Sequence, residues 1–471
     1  MRLLIDLQAC QGLSRLRGIG RFSLELAKAV ANLATDDEVW LALNGNFTDQ
    51  ADLIEAQFPH LAEQKRIVRF VLPPGLAEMD RRNSWRTQAS ELLRESFLQA
   101  LRPDLVLLGS LFEGWGEEVV TSVGALRGAP PTAVIHYDLI PLLNQESYLS
   151  NPRHRDHYYR KLASLQRTDL LLAISEHSRG EAIAALDLHE GSVVNISGAA
   201  DSCFRPPTLT QEQEHEVLQR YGISRHAVMC APGGFDPRKN LTKLIEGYAC
   251  LPREVRADHQ LVIASGIHDV ARKQLAAAAQ SAGLEDGELV LTGYIPDADL
   301  VRLYGLCRLF VFPSLHEGFG LPVLEAMSCG APTIGANATS LVEVIGWSEA
   351  MFDPTSAQAI CEAMRRALTD SAHRDALRQH ALAQASRFSW HESARRALVA
   401  CRELVARLQV ASQASVDMPD PATGYRQLIE ALSALKTPVK PTSMDLVLVA
   451  RAIAENEVIA AQALNTHQGY P

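Results

Sequence analysis

The chain of 471 residues is too long for a single compact core, and its composition, 47% apolar and 21% charged, predicts two or three globular domains. A formal net charge of -10 argues against nucleic acid as a partner, because binding to phosphates needs a basic surface. The eight cysteines are scattered without a closely spaced pair, which predicts buried thiols in a reducing compartment and argues against a disulfide framework or a zinc site. The N-terminus lacks a secretory pattern and no window reaches about 18 uninterrupted apolar residues, so we expect a cytoplasmic protein.

Short apolar runs alternate with helical stretches through the first half of the chain, a pattern typical of a parallel sheet with helices on both faces. Gly18 and Gly20 fall in a predicted loop, residues 11–21, at the end of the first strand, where open parallel sheets bind ligands. A plain turn explains these two glycines equally well, because the segment lacks the third glycine of a dinucleotide fingerprint. The predicted strands of this half are residues 3–7, 39–43, 67–71, 105–108, 133–135, 170–174 and 193–196, and a helix is predicted over residues 22–33.

A basic and partly aromatic region lies between these strands. One interpretation is a helix face exposed to solvent, because runs of charged residues usually form such faces. The other is a site for an anionic acceptor, such as a lipid-linked diphosphate sugar, or for an anionic membrane surface. The region comprises Arg81, Arg82, Trp85, Arg86 and Arg94, and then Arg153, His154, Arg155, Tyr158, Tyr159, Arg160 and Lys161.

The second half repeats the alternation after a boundary that we place near residues 206–210. Arg238 and Lys239 stand just before a helix that begins near Asn240, and cations beside helix-start amides suit a diphosphate. Charged residues in a surface turn are the alternative interpretation. The predicted strands here are residues 227–231, 261–264, 289–292, 309–312 and 331–335.

Asp297 and Asp299 form a DxD pair, which could chelate a metal ion. We interpret them instead as the cap and first turn of the next helix, where acidic residues are favoured by the helix dipole. The sequence therefore predicts no metal site here.

Residues 313–330, PSLHEGFGLPVLEAMSCG, predict a strand, a glycine-rich turn, a helix and another strand. Gly318 and Gly320 allow close approach of the backbone to a ligand, and we place Pro322 at the first helical position. Glu317 precedes the helix and Glu325 is predicted in its first turn, so both carboxylates could face one ligand and accept hydrogen bonds from sugar hydroxyls. An ordinary strand-to-helix turn with an acid near the helix start is the alternative.

The segment EGFGLPVLE resembles the signature of the large retaining glycosyltransferase family four, and the resemblance covers roughly residues 1–410. It implies an α/β, GT-B fold, with two Rossmann-like parallel-sheet domains facing a deep cleft, and here a C-terminal helical extension. The implied domains are residues 1–206 on the acceptor side, 207–386 for the donor, a return helix over 387–410, and a linker and helical tail of unassigned role over 411–471.

The same resemblance implies roles for individual residues. Glu317 would address the donor sugar and Glu325 the ribose of the nucleotide. Lys239 matches the family's lysine at the departing diphosphate, whereas the family's arginine position falls on Gly234, so either Arg238 would take its place or the role would be shared. Further implied donor-binding positions are Gly18, Gly20, Gly234, Tyr294, Ile295, Gly318, Phe319, Gly320 and Leu321.

Residues 135–143, IHYDLIPLL, end a predicted strand with a polar cluster. The family carries a histidine here that touches the donor sugar, but counted back from Asp138 its position falls on Tyr137. We favour His136 as the donor-facing residue and keep Tyr137 as its rival, since successive strand residues point to opposite faces. A polar strand end without a catalytic duty is the third interpretation.

The resemblance implies a hexosyltransferase that uses a nucleoside diphosphate sugar as co-substrate and needs no cofactor and no metal ion. GDP-mannose is favoured, because the segments DPRKN and YDLIPL resemble bacterial mannosyl- and rhamnosyltransferases of surface polysaccharide assembly. The implied acceptor is a glycan or a lipid-linked saccharide, which leaves open a peripheral contact with the inner face of the plasma membrane. The alternatives are another GT-B enzyme, such as a sugar nucleotide epimerase or a phosphorylase, and a non-catalytic scaffold.

Overall fold

A computed structural model describes residues 1–412 and 421–468, and the chain divides into two compact units. The first unit comprises Met1–Ile174, Arg179–Ile196 and His391–Pro471, and the second comprises Ser175–Ser178 and Ser197–Trp390. The linker predicted after residue 410 lies mostly outside the described residues. The functional division at residues 206, 386 and 410 stays a prediction.

Each unit is built on a parallel sheet, which confirms the predicted α/β class. The first sheet has the order β3-β2-β1-β4-β5-β6-β7, and the second has the order β10-β9-β8-β11-β12-β13. Every predicted strand is present, with ends shifted by two residues at most, because each is an apolar run, and the central strands of both sheets are buried along nearly their whole length. The strands are β1 Arg2–Asp6, β2 Glu38–Asn44, β3 Ile67–Phe70, β4 Leu105–Leu108, β5 Thr132–His136, β6 Leu170–Ala173, β7 Val193–Asn195, β8 His226–Cys230, β9 His259–Ile263, β10 Leu289–Leu291, β11 Leu309–Phe312, β12 Thr333–Ala336 and β13 Met351–Phe352.

Helices connect all successive strands except β4 and β5, whose connection over residues 109–131 contains no helix, and such crossover connections are usual between parallel strands. They are α1 Gly18–Leu33, α2 Thr48–Glu55, α3 Pro59–Glu63, α4 Ser84–Ala100, α5 Ile140–Leu143, α6 Gln145–Tyr148, α7 Pro152–Leu165, α8 Glu176–Leu186, α9 Gln211–Arg220, α10 Leu241–Ala249, α11 Arg253–Ala257, α12 Asp269–Ser281, α13 Asp297–Leu306, α14 Leu321–Ser328, α15 Leu341–Ile345, α16 Ala357–Thr369, α17 Ser371–Ala385, α18 Trp390–Ser412, α19 Pro421–Ala434 and α20 Ser443–Gln468. No helix of the described residues is long and apolar enough to cross a membrane.

The first helix begins earlier than predicted, and this changes the interpretation of its glycines. Gly18 and Gly20 lie in the first turn of α1 and not in a loop. A Cβ on Gly20 would lie 2.4 Å from the carbonyl oxygen of Ser14 and 2.5 Å from Cα of Arg15. Gly20 is therefore required where α1 packs against the backbone of the loop that precedes it.

The C-terminal tail is an integral part of the first unit. The predicted helical tail is confirmed as α19 and α20, which both pack on α4, and α20 also packs on the edge strand β3. Asn456 of α20 forms two hydrogen bonds with Val71, just beyond the end of β3: its Oδ1 accepts from the Val71 N–H at 2.8 Å, and its Nδ2 donates to the Val71 carbonyl oxygen at 2.9 Å. Buried apolar side chains of the tail join the same hydrophobic core as α4, namely Leu428, Val449, Ala452 and Ala460.

Much of the predicted basic region is internal, so neither sequence interpretation holds for those residues. Arg94 is buried and its Nε lies 2.6 Å from the carboxylate of Asp6 on β1. Arg160 and Lys161 of α7 both pair with Glu91 of α4, which ties the two helices together. Arg86 pairs with Asp445 of α20. Arg81, Arg82, Arg153 and Arg155 remain exposed.

All eight cysteines are free thiols, as predicted, and six of them are buried, whereas Cys203 and Cys250 are exposed.

Candidate active site

The candidate site lies in the second unit, at the carboxyl ends of the two central strands of its sheet. The strand order reverses between β8 and β11, and ligands of open parallel sheets bind at such a reversal. The loop after β8 carries Arg238 and Lys239, and the loop after β11 carries Glu317. The topology therefore brings together side chains that are 78 residues apart in sequence.

Glu317 is clasped by both predicted cations. Lys239 Nζ donates to Glu317 Oε1 at 2.6 Å, and Arg238 Nη1 lies 3.0 Å from Oε2. Lys239 and Glu317 are buried, and the ammonium lies 5.5 Å from the ring centre of Phe312, within the range of a cation–π contact. Arg238 Nη1 also donates to the carbonyl oxygen of His316 at 2.7 Å, which fixes the guanidinium beside the loop.

The electrostatics keep Glu317 ionised. Burial alone would raise the pKa of its carboxyl, but the charges of Lys239 and Arg238 outweigh burial and hold the pKa below its ordinary value. A carboxylate in this state can only accept hydrogen bonds, which suits the hydroxyls of a sugar.

Hydroxyl side chains hold the backbone of the glycine turn in place. Ser175 and Ser178 both donate to the carbonyl oxygen of Gly318, at 2.7 and 2.9 Å. The hydroxyl of Ser340 lies 2.8 Å from the carbonyl oxygen of Glu317, and Thr339 Oγ1 accepts from the Glu317 N–H at 3.1 Å. Sequence reasoning missed three of these hydroxyls, because serine and threonine at scattered positions give no pattern.

Ser175 caps α8, because its hydroxyl accepts a hydrogen bond from the N–H of Ser178 at 2.9 Å. The Glu343 carboxylate accepts hydrogen bonds from the N–H groups of Glu176 and His177 at 3.0 and 3.1 Å. The carboxylate thus satisfies amides at the start of α8, where a negative charge is favoured.

Helix α14 begins one residue before the expected position. Gly320 is its N-cap, with φ of 105°, a conformation that favours glycine. Pro322 is consequently the second helical residue, and Glu325 lies in the second turn and not in the first. The Glu325 carboxylate lies near Tyr304 and Cys329, where burial first and its charge second raise the pKa of both groups. That Glu317 and Glu325 address one ligand stays a prediction.

Asn240 is a further site residue that the sequence did not single out. It adopts left-handed backbone angles, φ 58° and ψ 33°, as the N-cap of α10, and its amide donates to the carbonyl oxygens of Pro313 and Pro354. Asparagine tolerates this conformation better than most residues. Thr339, whose hydroxyl accepts from the Glu317 N–H, is left-handed as well, with φ of 50°, a conformation that is costly for a β-branched residue.

The remaining implied donor residues of this unit are placed as follows. Gly234 has φ of 154° with open space where a Cβ would stand, so its backbone is accessible. Tyr294 is exposed beside Gly266 at the end of β9, whereas Ile295 is buried. Phe319 is also buried, edge-on to Phe388. The side chains of Ile295 and Phe319 therefore belong to the core.

The DxD pair lies in the first turn of α13, but the prediction that Asp297 caps the helix is wrong, because Asp297 is the first helical residue and Pro296 is the N-cap. Asp299 is buried and accepts from Arg220 at 2.7 Å and from Tyr221 at 2.9 Å. These donors lower the pKa of Asp299 despite its burial, and they tie α13 to α9.

In the first unit, the two rivals at the end of β5 have different surroundings. The hydroxyl of Tyr137 lies 2.7 Å from that of Ser23 and donates to the carbonyls of Ile19 and Gly109. His136 is buried, and its Nε2 has no hydrogen-bond partner. Burial lowers the pKa of His136 to about 4, so the ring is neutral. Both residues line a cavity of about 160 Å³ with Ser110, Asp138 and Tyr158.

The comparisons with known proteins agree with the observed fold and with the family that the glycine-rich turn indicates. The profile of the family Glycosyl transferases group 1 matches residues 215–384. The chain is 35% identical over 458 residues to the serotype-specific mannosyltransferase WbdA of Escherichia coli, covering 97% of this chain and 53% of that protein. It is 32% identical over 383 residues to the O-antigen chain mannosyltransferase B of the same organism, covering 80% of this chain and 93% of the relative.

Among solved structures, Anabaena Alr3699/HepE in complex with UDP and glucose superposes with a TM-score of 0.57 at 17% identity, over 87% of this chain and 100% of the other. This likeness supports the GT-B fold and no more. The chain spans about half the length of the WbdA relatives that it matches. Because one relative is matched over nearly its whole length at 32% identity, the family is established: the chain belongs to the group 1 glycosyl transferases.

Proposed function

We propose that the chain is a retaining mannosyltransferase that transfers mannose from GDP-mannose to a saccharide or lipid-linked saccharide acceptor in polysaccharide assembly. The observation that carries the proposal is the pairing of Lys239 and Arg238 with Glu317 at the strand reversal of the second sheet. The relatives named as mannosyltransferases, two of them of the O-antigen or serotype kind, support the donor and the product class.

The proposed reaction needs no protein nucleophile. The bond between the anomeric carbon and the diphosphate breaks, and the acceptor oxygen bonds to the same face of that carbon. A diphosphate oxygen takes the acceptor proton, so charge and atoms balance. Lys239 and Arg238 stabilise the charge that grows on the diphosphate, and a well-aimed donor of this kind contributes about 3–4 kcal/mol to the transition state. Glu317 accepts hydrogen bonds from the hydroxyls of the sugar ring.

We also propose that the transfer is independent of metal ions and takes place in the cytoplasm. The charge of the leaving diphosphate is met by the two cations, and Asp299 of the DxD pair is engaged by Arg220 and Tyr221. Turnover should therefore be unchanged by EDTA, and a loss that Mn²⁺ or Mg²⁺ restores would overturn metal independence.

The donor is tested by thermal unfolding of the full chain with GDP-mannose and, in parallel, UDP-, dTDP- and CDP-sugars. Binding stabilises by about 2.7 kcal/mol at a ligand concentration 100 times Kd, so GDP-mannose should raise Tm by a few degrees and the others should not. A response to UDP-sugars alone would overturn the donor assignment.

The reaction itself is tested by incubating the chain with GDP-mannose and a mannose-terminated oligosaccharide and recording the anomeric signals of the product by NMR. Release of an α-linked mannoside supports retention, because the donor sugar is α-linked. A changed sugar nucleotide without acceptor would indicate an epimerase, a requirement for phosphate would indicate a phosphorylase, and binding without turnover would indicate a scaffold.

A further inference from the structure

Two glutamate side chains of the first unit anchor the loop that follows β1. Glu113 and Glu117 belong to the connection between β4 and β5. Glu117 accepts a hydrogen bond from the N–H of Leu13, and Glu113 Oε2 accepts one from the hydroxyl of Ser14 at 3.0 Å. Because Leu13 and Ser14 are adjacent residues, the two carboxyl groups lie side by side against the loop. We call residues 12–17 the anchored loop.

The carboxyl group of Glu117 contacts the backbone of the anchored loop directly. A Cβ on Gly12 would lie 2.7 Å from Glu117 Cδ and 2.7 Å from Val119 Cγ2. Both distances are too short for a side chain, so glycine is required where the carboxyl group meets the backbone. A movement of the Glu117 carboxyl group would therefore move the anchored loop.

A single proton lies between the two carboxyl groups. Their side chains form a hydrogen bond, which requires one of them to be protonated, because an ionised carboxylate only accepts. Glu113 is buried and accepts two hydroxyl groups, those of Ser14 and of Ser110 at 2.8 Å, as an ionised carboxylate does. The proton therefore belongs to Glu117. Burial first, and then the charge of Glu113, raise the pKa of Glu117 to about 7.

The other ionisable groups of the described residues that face the pair keep one charge state near neutral pH. Arg15 is positively charged and lowers the pKa of Glu117, so it offsets part of the effect of burial. Cys10 and Tyr137 face Glu113, and burial, reinforced by the charge of Glu113, raises the pKa of the thiol and of the phenol. Both groups are therefore neutral, and the titration near neutral pH belongs to the two glutamates.

We propose that the proton shared by Glu113 and Glu117 is a pH-sensitive switch, which fixes the anchored loop in acid and releases it as the pH rises. With the proton present, the two side chains attract each other and hold the loop; without it, two negative charges in contact repel. The pKa of Glu117 is raised while the loop is anchored and ordinary once it is released. Anchoring is therefore complete below about pH 4.5 and is lost as the pH rises to about 7.

The position of the anchored loop connects the switch with catalysis, and this connection rests on the proposed function. The loop follows β1, and the strand order of the first sheet reverses between β1 and β4. Ligands of open parallel sheets bind at such a reversal, so we assign this edge to the acceptor. Glu113 and Glu117 are then positioning residues that act through the loop. The KM for the acceptor should rise between about pH 5 and about pH 7.5, and the KM for the donor should not follow it.

The test is hydrogen exchange of the full chain, followed by mass spectrometry on peptides that cover the anchored loop, at about pH 5 and about pH 7.5. Each rate is divided by the intrinsic rate at the same pH, and the last turn of α1 is the internal reference. A coupled proton changes an equilibrium by up to about tenfold per pH unit, so we expect protection of the loop to fall by about tenfold or more. Glu117→Gln keeps a donor to Glu113 without a titrating proton, so its protection should not change with pH. Glu113→Gln should behave in the same way, because Glu117 then has no charged neighbour to share its proton.

The matched control is Glu118→Gln. Glu118 is the next residue of the same connection, and its carboxylate accepts the N–H of Gly75 at 2.8 Å, outside the pair. This variant should keep the parental dependence on pH. Loop protection that is constant with pH in the parent, an unchanged dependence in Glu117→Gln, or its loss in Glu118→Gln would overturn the proposal. An equal fall in the last turn of α1 would also overturn it, because the loss of protection would then be global.

Hydrogen exchange and turnover separate the switch from the proposed function. A pH-dependent loop in a chain that lacks transferase activity would leave the switch standing and remove the proposed function. Transferase activity with a loop that does not respond to pH would do the reverse. A KM for the acceptor that is constant with pH, in a chain whose loop does respond, would overturn the assignment of this edge to the acceptor.

Discussion

Lys239→Met should lower both the stability of the chain and its turnover, and the two effects can be separated. Removing one partner of a buried ion pair costs about 3–5 kcal/mol, because the other charge is left buried. Glu317 keeps Arg238 at 3.0 Å, so we expect the lower end, about 3 kcal/mol, in the free energy of unfolding measured with urea. The turnover of the folded variant should fall by roughly 100-fold or more.

The loss of stability in Lys239→Met should come from the Glu317 carboxylate that is left buried, and not from the loss of the lysine alone. The double variant Lys239→Met with Glu317→Gln removes both charges, and we expect it to be more stable than the sum of the single effects predicts. Interactions between contacting residues are worth about 0.5–3 kcal/mol in such a cycle. Additivity within about 0.5 kcal/mol would refute the pairing.

The dependence on pH gives an independent check. The folded pKa of Glu317 lies below its ordinary value, so its ion pairs stabilise the chain above that value, and this contribution is lost as pH falls through the folded pKa. In Lys239→Met the pKa should rise, because burial is then opposed by Arg238 alone. The difference in stability between the parent and the variant should therefore be largest near neutral pH and shrink in acid. A difference that is constant with pH would contradict the reasoning.

Arg256→Met provides the matched control. Arg256 pairs with the buried Glu288 at 2.7 Å, in the same unit but outside the candidate site. Its removal should cost a comparable free energy of unfolding and leave turnover unchanged. If Arg256→Met reduces turnover as much as Lys239→Met, then lost stability explains both, and Lys239 has no special role.

Three further substitutions have effects that follow directly from the structure. Burial lowers the pKa of His136 from 6.5 to about 4, so the chain should lose roughly 3 kcal/mol of folding stability as the pH falls from the higher value to the lower. In His136→Phe, the free energy of unfolding measured with urea should lack this dependence on pH. Gly320→Ala should cost about 1–3 kcal/mol, because φ is 105° and the new Cβ would lie 2.7 Å from Leu341; an unchanged Tm would contradict this. Asn456→Ala should cost about 1–3 kcal/mol and lower the protection of the Val71 amide in hydrogen exchange, which unchanged protection would disprove.

The sheets could be predicted because their signal is local. Every strand of the first sheet is an uninterrupted or nearly uninterrupted apolar run, and burial on both faces permits such runs. The turn of residues 317–325 could also be identified from the sequence, since its glycines, proline and acids have fixed spacing. β13 escaped notice, because a strand of two residues carries no periodicity.

Partners that are distant in sequence could not be predicted. Arg94 was grouped with neighbouring arginines as a basic surface, yet its partner Asp6 stands 88 residues away on β1. The same holds for Arg86 and Asp445, which are 359 residues apart. A charge run in sequence shows how many cations exist, but only the fold decides which of them face solvent.

Two helices, α1 and α14, begin at residues that differ from the predicted ones, and the local structure explains both differences. Gly18 and Gly20 were expected in a loop, because glycine disfavours helix interiors by about 1 kcal/mol relative to alanine. The close approach of α1 to Ser14 and Arg15 overrides that preference, since no larger residue fits at Gly20. The left-handed Gly320 is the N-cap of α14, so the helix begins one residue earlier than predicted, which moves Glu325 from the first turn to the second.

Lys239 and Arg238 connect the binding of the diphosphate with the binding of the donor sugar in the proposed reaction. Lys239 and Arg238 are paired with Glu317, and a diphosphate must compete with that carboxylate for the same two cations. The sugar of the donor compensates by offering hydroxyls to the carboxylate, which would otherwise be buried without partners. Glu317→Gln removes the competition, so GDP alone should bind more tightly, on the order of tenfold, while GDP-mannose should gain less because it loses its charged acceptor. Calorimetric titration of both ligands measures the difference, with Arg256→Met as the reference for altered charge elsewhere. Weaker binding of GDP to Glu317→Gln would show that the carboxylate organises the cations and does not compete for them, and the proposed exchange of partners at Lys239 would then be wrong.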